Sequence, residues 1–281
     1  MRSPIFPPNR VTVMGVLNAT PDSFSDGGRL TDVDAFVAAA LAMQRAGAHV
    51  IDIGGESTRP GAATIPAQIE IDRVVPVIEA IAKATRVPIS IDTRKACVAR
   101  AALLAGAQLV NDVSGGRHDP ELAGVAASLD AELLLGHLRG TPATMQESPC
   151  FDDVVEDVTR ELAACIADAE AAGVRRDRIA VDPGIGFGKT LEHNLALLAH
   201  AGSIGKRLGR PLVVGPSRKR FLGQLTGDGA EHRDAATVAA CAVAIFAGAD
   251  AIRVHDVAMG VRAAAVAGAL RGAATRSGDQ R

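Results

Sequence analysis

Two textures alternate along the chain. Short, nearly continuous apolar runs occur at 11–17 (VTVMGVL), 87–91 (VPISI), 132–137 (ELLLGH), 178–182 (RIAVD) and 211–215 (PLVVG). Between them lie longer stretches with apolar residues at helical spacing, such as DAFVAAALAMQRA, PAQIEIDRVVPVIEAIAKA and, most clearly, VVEDVTRELAACIADAEAA. The first texture predicts strands covered on both faces and the second predicts amphipathic helices. Three further segments share one phrase: RAGAHVIDI (45–53), LAGAQLVND (104–112) and FAGADAIRV (246–254). Each reads as a helix ended by Gly47, Gly106 or Gly248, where glycine takes the left-handed conformation without a Cβ penalty, followed directly by a strand.

These joints bring the total to about eight strands, with helices expected over 31–46, 66–85, 95–105, 120–129, 153–172, 190–208, 231–247 and 257–271. Alternation of this kind suits an α/β fold, either a doubly wound sheet or a closed (β/α)8 barrel. The placement of polar residues separates the two. Asn18, Asp52, Asp92, Asn111, Asp112, His137, Asp182, Ser217, Arg253 and His255 each stand at or just past the C-terminal end of a strand. A doubly wound sheet gathers function at one switch point, whereas a barrel brings all these ends to one rim. The expectation is a single-domain (β/α)8 TIM barrel over 11–271, with an N-terminal extension at 1–10 and a polar, frayed tail at 272–281.

Composition narrows the partners. The chain has 281 residues, 48% of them hydrophobic, enough for a large core, and no apolar run approaches the roughly 20 residues that span a bilayer. The opening MRSPIFPPNR has no apolar signal region, so a soluble, cytoplasmic protein with no membrane partner is expected. A net charge of −2 gives no general attraction for nucleic acid, and any anion must be gripped locally. Cys97, Cys150, Cys165 and Cys241 lack metal or redox spacing and read as buried small hydrophobes. With no Trp and no Tyr, a flat ring would be held by Phe, aliphatic side chains or Arg.

One stretch invites a false reading. VDPGIGFGKT (181–190) ends like a phosphate-binding loop, but such a loop needs a glycine five positions before Gly188, where this chain has Pro183, which lacks an N–H. The glycine spacing also misses the dinucleotide fingerprint by one residue. Other stretches carry more chemistry. NATPDSFSDGGR (18–29) is too long and polar for a minimal turn, although its Pro and Gly pairs are ordinary turn formers. GGESTRPGA (54–62) offers hydroxyls and a guanidinium that suit a carboxylate or phosphate, and a surface loop explains them nearly as well. Asp92, Asn111 and Asp182 close apolar strands, where a carboxylate needs partners to offset its desolvation. Each alone could cap a helix; together they can grip the edge of an amino-heterocycle, with acid–base catalysis or metal binding as the rival uses. GPSRKRF (215–221) follows the seventh strand, where barrels often bind phosphate. Arg253 and His255, two apart on a strand, face the same side, so that Arg253, Lys219 and His255 can converge on one anion.

The motifs NATPDSFSDGG, GGESTRPGA, SIDT, NDVSGG, HLRGTPATMQ, DPGIGFGKT, GPSRKRF and RVHDV, from about Val11 to Ala267, closely resemble the dihydropteroate synthase family, in that family's order. The resemblance implies condensation of 6-hydroxymethyl-7,8-dihydropterin diphosphate with 4-aminobenzoate, with release of pyrophosphate, by an enzyme of the sulfonamide-target class. By the same resemblance, Asp92, Asn111, Asp182, Lys219 and Arg253 bind the pterin. Asn18, Thr58, Arg253 and His255 bind the diphosphate, with Asn18 on Mg²⁺. Thr58, Arg59, Phe187, Ser217 and Phe221 form the aminobenzoate site, and the loop with Phe24 and Asp26 closes over the reaction. Lys219, Arg253, His255, Asp92 and Asp26 are the expected catalytic group.

Two rivals share part of the pattern: a pterin-binding paralogue without synthase activity, and a methyltetrahydrofolate barrel of a corrinoid methyltransferase, which lacks the Ser-Thr-Arg-Pro and Ser-Arg-Lys signatures. The chain departs from the family's usual pattern in having Gly136 where a Met precedes the strand-five His, which is expected to remove a side chain from the pterin-pocket floor. Ala19 likewise replaces a larger aliphatic residue. The apolar stretch TVAACAVAIFAGA suggests a homodimer through the last helices, or equally ordinary barrel packing.

Overall fold

The computed structural model describes residues 5–20, 31–59 and 61–278. Within them eight strands alternate with helices. In chain order these are β1 (Thr12–Asn18), α1 (Thr31–Arg45), β2 (Val50–Gly54), α2 (Ala67–Ala84), β3 (Ile89–Asp92), α3 (Ala96–Ala105), β4 (Leu109–Asp112) and α4 (Leu122–Ser128). There follow β5 (Glu132–Gly136), α5 (Val154–Ala171), β6 (Ile179–Asp182), α6 (Leu191–Ala199), α7 (Ala201–Leu208), β7 (Val213–Val214), α8 (Arg220–Thr226), α9 (Asp234–Phe246), β8 (Ala251–Val254) and α10 (Val257–Gly278).

All strand pairs are parallel, in the order β6-β5-β4-β3-β2-β1-β8-β7. A parallel bridge between Val181 and Leu212 joins β6 to the chain entering β7, and the Val181 N–H donates to Pro211 O at 3.0 Å. The sheet thereby closes into the expected barrel.

Side chains alternate along each strand. Ile51, Ile53, Ile89, Ile91, Leu133 and Leu135 face outward and pack under the helices, while Met14, Val50, Leu109, Leu134, Ala180 and Ala251 fill the interior. Ile5 and Phe6 from the N-terminal segment join this inner cluster, and the Ile5 N–H donates to Glu132 Oε1 at 2.8 Å. The barrel is therefore packed shut at its N-terminal end, where the inward Glu132 is itself paired with Ile5 and Arg178, and the other inward-facing polar groups of β2, β3, β4 and β8 lie toward the opposite end. Gly47, Gly106 and Gly248 take φ of 96°, 122° and 117°, as the repeated helix-to-strand joint requires.

Four local features differ from the sequence expectation. The helix expected over 190–208 is two, α6 and α7, meeting at His200, because Gly202 packs directly on the backbone of Ala247 and Gly248. A short extra helix, α8, follows the basic Ser-Arg-Lys run. α10 continues to Gly278, beyond the boundary at 271, and its 257–275 portion is long and apolar enough by composition to cross a membrane, contrary to the reading that no run approaches that length. Here α10 packs along α9 and β1, with Val257, Ala263 and Ala267 in the outer core. Cys165 and Cys241 are buried as expected, but Cys97 and Cys150 are exposed; all four are free. Cys97 is the second residue of α3 and Cys150 lies in the connection before α5, positions that the barrel leaves facing solvent.

Candidate active site

At the C-terminal mouth the inward positions turn polar. Asp52 and Ser90 are register partners, as are Asp92 and Asn111, so neighbouring strands present these groups side by side. Asp52 is fully buried, Asp92 is 8% exposed and Asn111 4%. Arg253, inward on β8, bridges the carboxylates: Nε donates to Asp52 Oδ2 and Nη2 to Asp92 Oδ2, both at 2.6 Å. Asn111 Nδ2 donates to the same Asp52 oxygen at 3.1 Å. One guanidinium thus offsets two buried carboxylates that would otherwise repel each other.

The pairing is incomplete in an informative way. Asp52 Oδ1, Asp92 Oδ1 and Ser90 Oγ are buried and have no hydrogen-bond partner among the described residues. Buried acceptors of this kind are costly unless a donor arrives. Burial pushes the Asp92 carboxyl up to about 7, against the pull of Arg253. Asp182 is shifted upward by burial as well, while its Oδ1 accepts from the Gly184 N–H at 2.7 Å. The mouth is set up to accept several N–H groups at once.

A second, electropositive part lies beside it. Ser217 follows β7, and its Oγ lies 2.9 Å from His255 Nδ1 and accepts from the His255 backbone N–H at 3.2 Å. His255 is lowered to about 4, by burial first and then by Arg253, Arg218, Lys219 and Arg59. Arg253 and Arg218 are already paired with carboxylates, so Lys219 and Arg59 supply the remaining positive charge near the imidazole, and it favours an anion there. Arg218 itself is turned away, with φ +57° and its guanidinium on Asp234 at 2.8 and 2.9 Å. Lys219 is lowered to about 8 by burial and Arg253, and its Nζ stands 3.7 Å over the Phe187 ring.

The remaining predicted residues divide. Asn18 ends β1 opposite Gly54, half-buried at the rim. Thr58 is half-buried and Arg59 exposed on the β2–α2 loop, whose Gly61 N–H donates to Pro142 O at 3.1 Å. Phe187 is half-buried on the β6–α6 loop. Phe221 is 3% exposed and packed in the outer core as the second residue of α8, which leaves little of its ring open to a ligand. Phe24 and Asp26 lie outside the described residues. Asp112, expected at the rim, instead caps its own turn, accepting from Ser114 and Gly116.

Gly136 corrects a sequence expectation. It sits in register with Asp182, yet a Cβ there would lie 2.6 Å from Val113 Cα. The backbone of β4's exit already fills that space, so the glycine marks a close approach and not a missing floor. Two groups went unassigned in the sequence: Asp52, although it occupies an inward position of VIDIG, and the pair His137 and Lys189. A cavity of about 350 Å³ between the β3, β4 and β5 loops is lined by Arg94, Arg117 and Arg139, but these pair with Glu56, Glu161 and Asp157 and leave little charge for an anion.

The family of pterin binding enzymes matches residues 14–255. A dihydropteroate synthase of Synechocystis is 46% identical over 262 residues, 93% of this chain and 90% of the relative. The solved Xanthomonas albilineans dihydropteroate synthase with 4-aminobenzoic acid superposes with a TM-score of 0.87 at 46% identity, covering 94% of each chain. The Yersinia pestis dihydropteroate synthase with a sulfonamide drug gives 0.87 at 44% identity, covering 94% of this chain and 95% of that one. With the family match, the fold and nearly the whole length in agreement, the chain belongs to the pterin binding enzyme family, as a dihydropteroate synthase.

Proposed function

We propose that the barrel mouth carries out the synthase reaction with the pterin on the Asp52–Asp92–Asn111–Asp182 side and the diphosphate toward Arg253 and His255. The observation that carries this reading is the set of buried acceptors, Asp52 Oδ1 and Asp92 Oδ1, left without donors beside Arg253. The amino and ring N–H groups of a pterin supply donors of the right kind. Asp92, Asn111, Asp182 and Lys219 hydrogen-bond the ring, and Arg253 stacks on it. The arylamine lies along Phe187 toward Thr58, Arg59 and Ser217, the arrangement favoured by Lys219 and Phe187 meeting at 3.7 Å.

An arylamine is uncharged near neutral pH and needs no strong base to attack, so the barrier lies in breaking the C–O bond to diphosphate. Stabilising charge on the leaving group is then the main task. Arg253, the His255 imidazole and Thr58 surround that charge, and the buried carboxylates favour an electron-rich pterin that tolerates a cationic methylene. The substitution is dissociative on this reading: the C–O pair leaves with pyrophosphate before the amine nitrogen bonds the carbon and loses its proton.

Among the described residues no group of three or more His, Cys, Asp or Glu is placed to hold a metal. Asn18 offers one neutral oxygen, which fits Mg²⁺ carried largely by phosphate oxygens. Bound there, the ion neutralises diphosphate charge. α9 and α10 leave Val243, Phe246, Val266 and Leu270 more than half exposed in two helices packed on each other, and a second copy of the chain is the partner we assign to that face.

Pyrophosphate release from the pterin diphosphate, with Mg²⁺ and with or without 4-aminobenzoate, tests the reading. Amine-dependent release is expected; release that ignores the amine, or none, rejects it in favour of the silent paralogue.

A further inference from the structure

The loop that carries Phe187 is held from beneath by a buried lysine. Lys189, 4% exposed, donates from Nζ to Phe187 O at 2.9 Å and lies 3.0 Å from His137 Nδ1 and 3.4 Å from His137 O. His137, 3% exposed at the exit of β5, presents Nε2 to Glu161 Oε2 of α5 at 3.0 Å. Glu161 also accepts from Arg139 Nε at 3.0 Å. The network fixes one tautomer: Nδ1 accepts from the ammonium and the Nε2–H donates to the carboxylate. His137 is lowered to about 3, by burial and then Lys189, which keeps the ring neutral in this role.

We propose that Lys189 is a positioning residue for the arylamine, its ammonium clamping the peptide of Phe187 to the exit of β5 so that the ring stays beside Lys219. The inference rests on placing Phe187 in the 4-aminobenzoate site. Three observations separate this role from general scaffolding. The clamp takes hold of the carbonyl of Phe187 itself. Asp182, on the pterin side, is placed by the β5–β6 ladder and by the Gly184 N–H, and it feels Lys189 only as the least of three cations, after Lys219 and Arg253. The next turn of the loop lies against the other partner: a Cβ on Gly186 would meet Lys219 Cδ at 2.8 Å. Loss of the clamp therefore frees Phe187 from Lys219 while leaving Asp182 in its strand. The position is costly for a cation: burial lowers Lys189 to about 7, with Asp182 and Glu161 supporting the charge and Arg139 and Lys219 opposing it.

The test is the steady-state kinetics of Lys189→Met, each substrate varied at saturation of the other. KM for 4-aminobenzoate is expected to rise about tenfold, as for loss of one charge-assisted hydrogen bond. KM for the pterin diphosphate should move by less than about threefold, the signature of a loss confined to one substrate. Lys189→Gln, which keeps a donor for the Phe187 carbonyl, should fall between. An unchanged KM for the amine, equal rises for both substrates, or failure of both variants to fold would overturn the proposal. Phe187→Ala, measured in parallel, separates the two claims. If it leaves the amine KM unmoved, the placement of Phe187 falls; if it raises that KM and Lys189→Met does not, only the role of Lys189 falls.

Discussion

Arg253 and Asp52, 201 residues apart in sequence, meet at 2.6 Å in the floor of the barrel mouth, on a carboxylate oxygen that Asn111 also reaches. The guanidinium is both the expected substrate ligand and the counter-charge for two buried carboxylates. Arg253→Met is accordingly expected to abolish turnover and also to destabilise the protein by about 3–5 kcal/mol, because it leaves Asp52 and Asp92 without a cation. Urea unfolding checks this, and an unchanged midpoint would contradict it. Adding Asp52→Asn should restore part of the stability and none of the activity.

Asp92 gives the free protein a pH signature. Its carboxyl stands at about 7 when folded against an ordinary 3.8, so between those values the folded form holds a proton that the unfolded chain has released. Stability is then expected to fall as pH rises through that window. Pterin binding should move oppositely, since ring N–H groups need the ionised acceptor. Melting curves and pterin titrations across the window test both slopes, and Asp92→Asn should flatten each.

His255 is neutral at pH 6 in the free protein, lowered to about 4 by burial and four surrounding cations. A bound pyrophosphate favours the protonated ring, so binding should take up a proton. Calorimetry in buffers of different ionisation enthalpy measures this uptake. It should vanish in His255→Asn; equal heats in all buffers for the native protein would refute it.

Gly136→Ala is expected to cost about 1–3 kcal/mol, typical of forcing atoms into occupied space. Its Cβ would press on Val113 Cα at 2.6 Å. Thermal melting distinguishes this from the reading in which a side chain at 136 merely completes a pocket, which predicts unchanged stability and tighter pterin binding.

Phe246→Asp and Val266→Asp alter positions that are 52% and 62% exposed on α9 and α10. Each should shift a dimer toward monomer in sedimentation velocity while leaving the barrel's melting transition in place. A native protein that sediments as a monomer would dispose of the assigned partner.

Much of this was legible because strands and barrels translate position into place. Apolar runs that end in Asp92, Asn111 and Asp182 put those residues on one rim once the sheet closes; the repeated helix–glycine–strand joint announced a parallel sheet, and the spread of polar strand ends favoured its closure. Other features depended on distances that no local pattern encodes. Asp52 looked like one more strand-end acid until Arg253 was placed beside it. Lys189 and His137 are 52 residues apart, and each alone resembles a satisfied core residue. The break between α6 and α7 arises from the crossing of Gly202 over Ala247, a contact between remote segments. Phe221 shows the converse: the motif around it was readable, but whether its ring faces the cleft or the packing was not.

The two sides of the proposed arylamine cleft differ in how freely they can change. Gly184, Gly186 and Gly188 all have positive φ; a Cβ on the first would run into His137 O, and one on the second into Lys219. On the β2–α2 loop the crowding is confined to its root, where a Cβ on Gly55 would lie 2.7 Å from Val74 Cγ1; beyond it Ser57 and Arg59 are exposed, and Gly61, also at positive φ (80°), has open space beside it. Variants that tell 4-aminobenzoate from a bulkier sulfonamide should therefore accumulate on the β2–α2 side, with the glycine-rich side held to a single backbone path. On the proposed placement of the arylamine, selection by a drug would act, among the described residues, on the outer part of the β2–α2 loop.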